Sequence, residues 1–304
     1  MYEHFFGLKE NPFRMTPDPR YFYASSKHLD ALNHMLYAIE ERRGFVVITG
    51  EIGSGKTTLS RVLFQKLDAR TKTAVIRNTK LTAKDLVTLT LEELDIPARP
   101  GSTKMQLIGR LNEFLIDQLR DDANVVLLID EAQNLTPSVL EEVRMLANLE
   151  TETTKLIQII LMGQPELKAK LWLKELTQLR QRVTLFYHLN PLNEPETCAY
   201  VAHRLQVAGA IPPPGVGPAG RAHGAPPPQA ATPGGGTNGT PIFGPAALER
   251  IFSYSQGTPR LVNSLCDRAL LTGYVNETKA IGPQTIDEVA RELPSLIAEP
   301  AHTQ

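Results

Sequence analysis

The sequence predicts an α/β protein: a parallel sheet sandwiched by helices, followed by a C-terminal all-helical domain. Three observations predict it. Short β-branched apolar runs alternate with helical periodicities up to about residue 190. Beyond Pro191 the strands stop and only helical patterns recur. A glycine-rich turn follows the first strand, and an acidic pair closes the third.

The elements follow in order. Leu29, Leu32, Met35, Leu36 and Ile39 recur at helical spacing and place a helix over Lys27 to Glu41. Phe45 to Thr49 reads as a buried strand, Gly50 to Thr57 as a loop, and Thr58 to Leu67 as a helix with Leu59, Val62, Leu63 and Leu67 inward. Thr73 to Arg77 is the second strand, and Ala83 to Leu94 and Thr103 to Arg120 are helices. Val125 to Ile129 is the third strand. Pro137 to Leu149 fits a helix with proline in its first turn. Leu156 to Met162 and Leu185 to Leu189 complete the strands. Glu194 to Val207, Ala246 to Ser255, Arg260 to Tyr274 and Pro283 to Leu293 form the helical domain. The domains are therefore residues 1–190 and 191–294, with a flexible tail at 295–304.

The segment 209–241 interrupts the helical domain. It holds 9 Gly and 9 Pro in 33 residues, and Arg221 is its one charged residue. Such a composition cannot bury enough apolar surface to offset its ordering entropy, so a disordered insertion is expected.

Composition excludes several classes. Lys and Arg total 32 against 33 Asp and Glu, a net charge of −1 that argues against nucleic-acid binding by charge alone. Cys198 and Cys266 form no C-x-x-C pair, so neither a disulfide scaffold nor a cysteine zinc site is supported. No apolar run approaches the roughly 18 residues of a membrane span. The N-terminus lacks a basic region followed by an apolar core, so no secretory signal is read and a cytoplasmic protein is expected.

The most specific motif is Gly50-Glu51-Ile52-Gly53-Ser54-Gly55-Lys56-Thr57, a full G-x-x-x-x-G-K-[ST] between a buried strand and an amphipathic helix. Glycines let the backbone curl around a phosphate, and the loop and helix N–H groups then face the anion. Lys56 suits the β- and γ-phosphates and Thr57 suits Mg²⁺. Asp130 and Glu131 close the third strand: Asp130 is placed to orient Mg²⁺ and Glu131 to polarise an attacking water. Gln164 ends the fourth strand, either as a phosphate sensor or as an ordinary strand-end residue. Arg180 and Arg182 offer always-ionised planar forks for phosphoryl charge, or are solvated helix-end arginines. Arg260, after Gly257-Thr258-Pro259, either folds over a nucleotide or opens a plain helix.

Together these residues resemble the AAA+ ATPases, and more narrowly the ExeA/GspA-like family, relatives of which serve exopolysaccharide and exosortase loci. The carrying segments are Phe6 to Phe13, Thr16 to Arg20, Thr49 to Thr58, Asp130 to Leu135, Gly163 to Leu167, Leu179 to Arg182 and Gly257 to Asn263. The resemblance implies a P-loop NTPase sheet of the ASCE type, a helical lid, ATP with Mg²⁺, and ATP-dependent homo-oligomerisation. By similarity, Thr58 joins the phosphate loop, the Asn11-Pro12-Phe13 region lines the adenine side, and Arg180 or Arg182 acts as a finger. Secretion-type relatives carry a membrane span and a peptidoglycan-binding module after the ATPase, and neither is expected within this sequence.

The leading expectation is an ATP-hydrolysing protein that serves an envelope export or assembly system through a protein client, cytoplasmic or peripheral at the inner membrane through that partner. The alternative is an ATP-dependent DNA-binding regulator of the transposition (MuB/TniB/TnsC-like) or origin-recognition type. It is favoured by the basic stretch from Arg61 through Arg70 and Arg77 to Lys84, which a solvated helix face also explains. DNA is the less favoured partner. A P-loop kinase is opposed by Glu131, the two-arginine segment and the helical lid.

Overall fold

The computed structural model describes residues 1–210 and 241–293. The expected insertion at 209–241 and tail at 295–304 therefore lie almost wholly outside the described residues. The chain forms two compact units. One comprises Leu29–Glu51 and Leu59–Leu189; the other comprises Met1–His28, Ile52–Thr58 and the described residues from Asn190 on.

The first unit is built on a five-stranded, all-parallel sheet. Its strands are β1 (Phe45–Gly50), β2 (Lys72–Ile76), β3 (Val125–Ile129), β4 (Gln158–Gly163) and β5 (Leu185–Leu189), in the order β2-β3-β4-β1-β5. Every residue of β1, β3 and β4 is buried, whereas β2 and β5 are only partly so. The three continuous apolar runs thus occupy the centre, and the more mixed sequences take the edges. The helices of this unit include α1 (Ser26–Glu40) from Leu29 on, α2 (Lys56–Lys66) from Leu59 on, α3 (Ala83–Glu93), α4 (Lys104–Arg120) and α5 (Pro137–Leu146). Capping boxes start α3 at Thr82/Asp85 and α4 at Thr103/Gln106. Leu86, Leu111, Leu127, Leu140 and Ile159 are fully buried members of the core.

The elements differ from the sequence reading in several places. The loop after β1 ends at Gly55, and Lys56 already opens α2, because helix resumes as soon as the glycines stop. β4 begins at Gln158 because Leu156 N–H is bonded to Leu149 O outside the ladder. Two helices, α6 (Pro165–Leu171) and α7 (Thr177–Arg182), have 7 and 6 residues, too few for a periodic signal.

The second unit packs α8 (Glu194–Val207), α9 (Pro245–Ser255), α10 (Pro259–Val275) and α11 (Pro283–Glu292) with the N-terminal segment. Phe6, Phe13 and Tyr21 enter the same core as Val201, Phe243, Ile251 and Leu265. Arg204 holds the segment in place: its Nε donates to Pro12 O at 2.5 Å, and its guanidinium lies 4.6 Å from the Tyr21 ring centroid. Cys266 is fully buried and its thiol is pushed well up by burial, while Cys198 is half-buried.

Gly257 joins α9 to α10 at φ +71°, and a Cβ there would lie 1.7 Å from Leu192 O. Leu192 N–H also donates to Gly257 O at 3.0 Å, so the two backbones cannot separate without losing that bond. Gly257→Ala combines left-handed strain with a backbone clash. The expected loss is roughly 3 kcal/mol, read as a thermal midpoint lowered by about 10 °C. An unchanged midpoint would contradict this packing.

Candidate functional site

Parallel strands deliver their C-terminal ends to one edge of the sheet. β4 lies between β3 and β1, with Ile129 opposite Leu161 and Thr49 opposite Gly163. Asp130, Glu131, Gln164 and Glu51 therefore leave adjacent strands at the same edge.

Asp130 is buried, with 6% exposure. Its backbone N–H donates to Ile76 O at 2.9 Å, and its Oδ1 accepts the Glu131 N–H at 2.9 Å. Glu131 is left-handed, at φ 52° and ψ 35°. A non-glycine residue in that region carries strain that surrounding bonds must offset. Two amides supply them. Gln133 Nε2 donates to Glu131 Oε2 at 2.5 Å, and Gln164 Nε2 donates to the same oxygen at 3.2 Å. Gln164 N–H in turn donates to Gln133 Oε1 at 3.0 Å. The structure thus brings Glu131 and Gln164 together and adds Gln133. In the sequence Gln133 stands out only as a member of the Asp130 to Leu135 segment that carries the resemblance.

The phosphate-type loop Ile52–Thr58 belongs to the unit of α8–α11. Gly53 and Gly55 have φ +79° and +97°. A Cβ on Gly53 would lie 2.4 Å from Arg260 Cβ, and Arg260 N–H donates to Gly53 O at 3.2 Å. The glycine at this loop position is needed twice, for its backbone angle and for the approach of α10. The Ser54 hydroxyl is buried without a hydrogen-bond partner. Lys56 is buried, with 6% exposure, as the first residue of α2, and Thr57 follows it half-buried. An orphaned hydroxyl, a glycine cradle and a lysine at a helix N-terminus fit a polyphosphate anion.

His28 braces this loop, a contact absent from the sequence reading. Its Nε2 lies 3.0 Å from Ser54 O and its Nδ1 2.8 Å from Ser25 Oγ. A carbonyl only accepts, so Nε2 carries the proton and Nδ1 accepts from the serine hydroxyl. Burial disfavours the imidazolium and lowers the His28 pKa, against the opposing pull of the Ser54 carbonyl and the Glu196 charge. His203, on α8, is lowered by burial and then by the Arg204 charge. For such groups the unfolded chain takes protons first, from about pH 6.5 downward, so folding stability rises with pH across that window. The urea midpoint is therefore expected to fall between pH 7 and pH 5, and His28→Gln should flatten the fall. An equal slope in both proteins would show that His28 does not titrate as described.

The remaining residues sit elsewhere. Arg180 and Arg182 precede β5, where Thr184 N–H donates to Phe45 O, at the edge where strands begin. The chain does not bring them to its own Asp130 and Glu131. The Arg180 guanidinium lies 5.2 Å from the Trp172 ring centroid, and burial and then the Arg182 charge lower the Lys155 pKa. Arg260 is exposed at the start of α10. Asn11, Pro12 and Phe13 are engaged within the helical unit. Asn11 Nδ2 donates to Asp267 Oδ1 at 2.9 Å, and Phe13 is 1% exposed with its ring against Phe243.

Residues 39–171 match the AAA domain family. The chain is 39% identical over 296 residues to general secretion pathway protein A of Aeromonas hydrophila, covering 97% of this chain and 49% of that protein. It thus spans about half the length of the curated relative it matches. Among solved structures, it resembles the ORC2 protein of Aeropyrum pernix in its ADPNP–ADP complexes, with a TM-score of 0.65, 13% identity, and 93% and 72% of the two chains covered. Cdc6p from Pyrobaculum aerophilum gives a TM-score of 0.63 at 17% identity, covering 94% and 75%. At such identities these two likenesses speak for the fold. Among the described residues, no helix is long and apolar enough to cross a membrane. The parallel sheet and the phosphate-type loop are thus those of a P-loop fold, with an AAA domain over residues 39–171, in a chain similar over nearly its whole length to general secretion pathway protein A.

Proposed function

We propose that the protein binds ATP with Mg²⁺ and hydrolyses it, and that this cycle drives homo-oligomerisation and work on a protein client of an envelope export system. The observation that carries the reading is the Glu131 carboxylate, held by two amides beside buried Asp130 at the end of a central strand. A carboxylate so oriented is what a general base for water requires.

In this reading the N–H groups of Gly50 to Thr58 cradle the phosphates, and Lys56 contacts the β- and γ-phosphates. Thr57 and Asp130 supply hard oxygen donors for Mg²⁺. Mg²⁺ takes few protein ligands, alongside phosphate oxygens and water. When bound, the ion neutralises phosphate charge. Glu131 takes a proton from water as the water oxygen bonds to the γ-phosphorus and ADP leaves. Gln164 orients that water or reports the γ-phosphate. Arg260 reads phosphate from α10, and Arg180 or Arg182 serves the nucleotide of a neighbouring copy. By the resemblance, the Asn11–Phe13 region lines the adenine side.

The test is phosphate release from Mg²⁺-ATP with no added acceptor, alongside native mass measurement with and without ATP. Release at background rate would sink the hydrolase reading, and an unchanged mass would sink the oligomer. The relative's name supports a client in an export system, and the test of it is a pull-down under ATP-trapping conditions. Binding of duplex DNA only with ATP, weakening with salt, would support the regulator reading instead.

A further inference from the structure

We propose that Gln133 is a positioning residue for Glu131: together with Gln164 it holds the carboxylate in one orientation at the end of β3. The proposal rests on Glu131 being the general base.

The orientation of the Gln133 amide is set by its surroundings. Its Oε1 faces the backbone N–H of Gln164 at 3.0 Å, which can only donate. A flipped amide would set NH₂ against that N–H and oxygen against the carboxylate. Nε2 must therefore point to Glu131 Oε2, where it lies at 2.5 Å. The space is made by Gly163, since a Cβ there would lie 2.8 Å from Gln133 Oε1. The turn itself is held by Lys170, whose Nζ bonds the carbonyls of Gln133 and Leu135, the latter at 2.8 Å. Gln133 is thus locked at its backbone, at its carbonyl end and at its amino end.

Gln133 and Gln164 both donate to Oε2, so these two bonds fix the plane and direction of the carboxylate. The same two bonds hold a side chain whose own backbone is strained. Without Gln133 the carboxylate keeps one donor and swings, and a misplacement of about 1 Å costs rate steeply.

The test uses the full chain in single-turnover ATP hydrolysis with protein in excess, from pH 5.5 to 9, with ATP affinity measured separately. Gln133→Ala is expected to lower the rate at saturating ATP about tenfold, with affinity unchanged within about twofold. Gln133→Glu is the sharper variant, because it keeps an oxygen for Gln164 N–H and replaces the donor with a second carboxylate. Like charges at this spacing raise the pKa of the pair, so the acidic limb of the rate profile should move up by about one pH unit or more. Wild-type rate and profile in both variants would overturn the proposal. So would a faster Gln133→Ala, which would make the contact a restraint, or a parallel loss of ATP affinity, which would make it structural. Glu131→Gln separates the two readings. If that variant hydrolyses ATP normally, the base assignment fails. If it is inactive while both Gln133 variants behave as wild type, this proposal alone fails.

Discussion

Glu131→Gln is expected to bind ATP with unchanged affinity and to hydrolyse it at least about 100-fold more slowly. The substitution keeps the shape of the side chain. It replaces the carboxylate that accepts from Gln133 and Gln164 with an amide whose oxygen can still accept from them. What disappears is the group that can take a proton from water. The phosphate loop is untouched, so nucleotide binding should persist, and the variant should accumulate in its ATP state. Measured rates of phosphate release and titrated ATP affinities check both halves. A variant with wild-type turnover would remove Glu131 from the chemistry and leave the strand-end network a structural feature.

Lys56→Ala is expected to weaken ATP binding by about 100-fold, with the fold intact. Lys56 opens α2 and is almost fully buried. A cation there lies at the positive end of the helix dipole, so its natural complement is an anion. Charge-assisted bonds to phosphate contribute about 1.5 to 3 kcal/mol each, and the loss of one or two gives that factor. The thermal midpoint without nucleotide, measured alongside, shows whether the fold survives the loss of the buried cation. Undiminished ATP binding would reject the loop as the phosphate site. A collapsed midpoint would instead show that Lys56 holds the fold through its neighbours.

These two residues were legible in the sequence because their signals are local. Gly50 to Thr57 carries spacing, glycine chemistry and flanking elements within a few residues. Val125 to Glu131 shows a dry strand and its acidic end in one run. The strands and most helices were legible for the same reason, since periodicity and caps act over one or two turns. Helices α6 and α7 were not, because one or two turns hold too few apolar positions to show a period. The N-terminal 28 residues gave no periodic signal either. Their place in the helical unit is set by Arg204 on Pro12 and by Tyr2 and Asn11 on Asp267, partners far away in the chain.

The sequence by itself therefore determined the class of the fold, the phosphate-type loop and the acidic strand end, since each is written in adjacent residues. Only the tertiary structure decided what holds them. The strand order β3-β4-β1 set Glu131 beside Gln164 and gave Gln133 its role. The chain path set His28 under Ser54, α10 against Gly53, and Leu192 against Gly257. Each of these contacts joins residues widely separated in the chain, or depends on a backbone turn that no local pattern records. Which distant groups meet is a property of packing, where one missing Cβ or one hydrogen bond decides the neighbour.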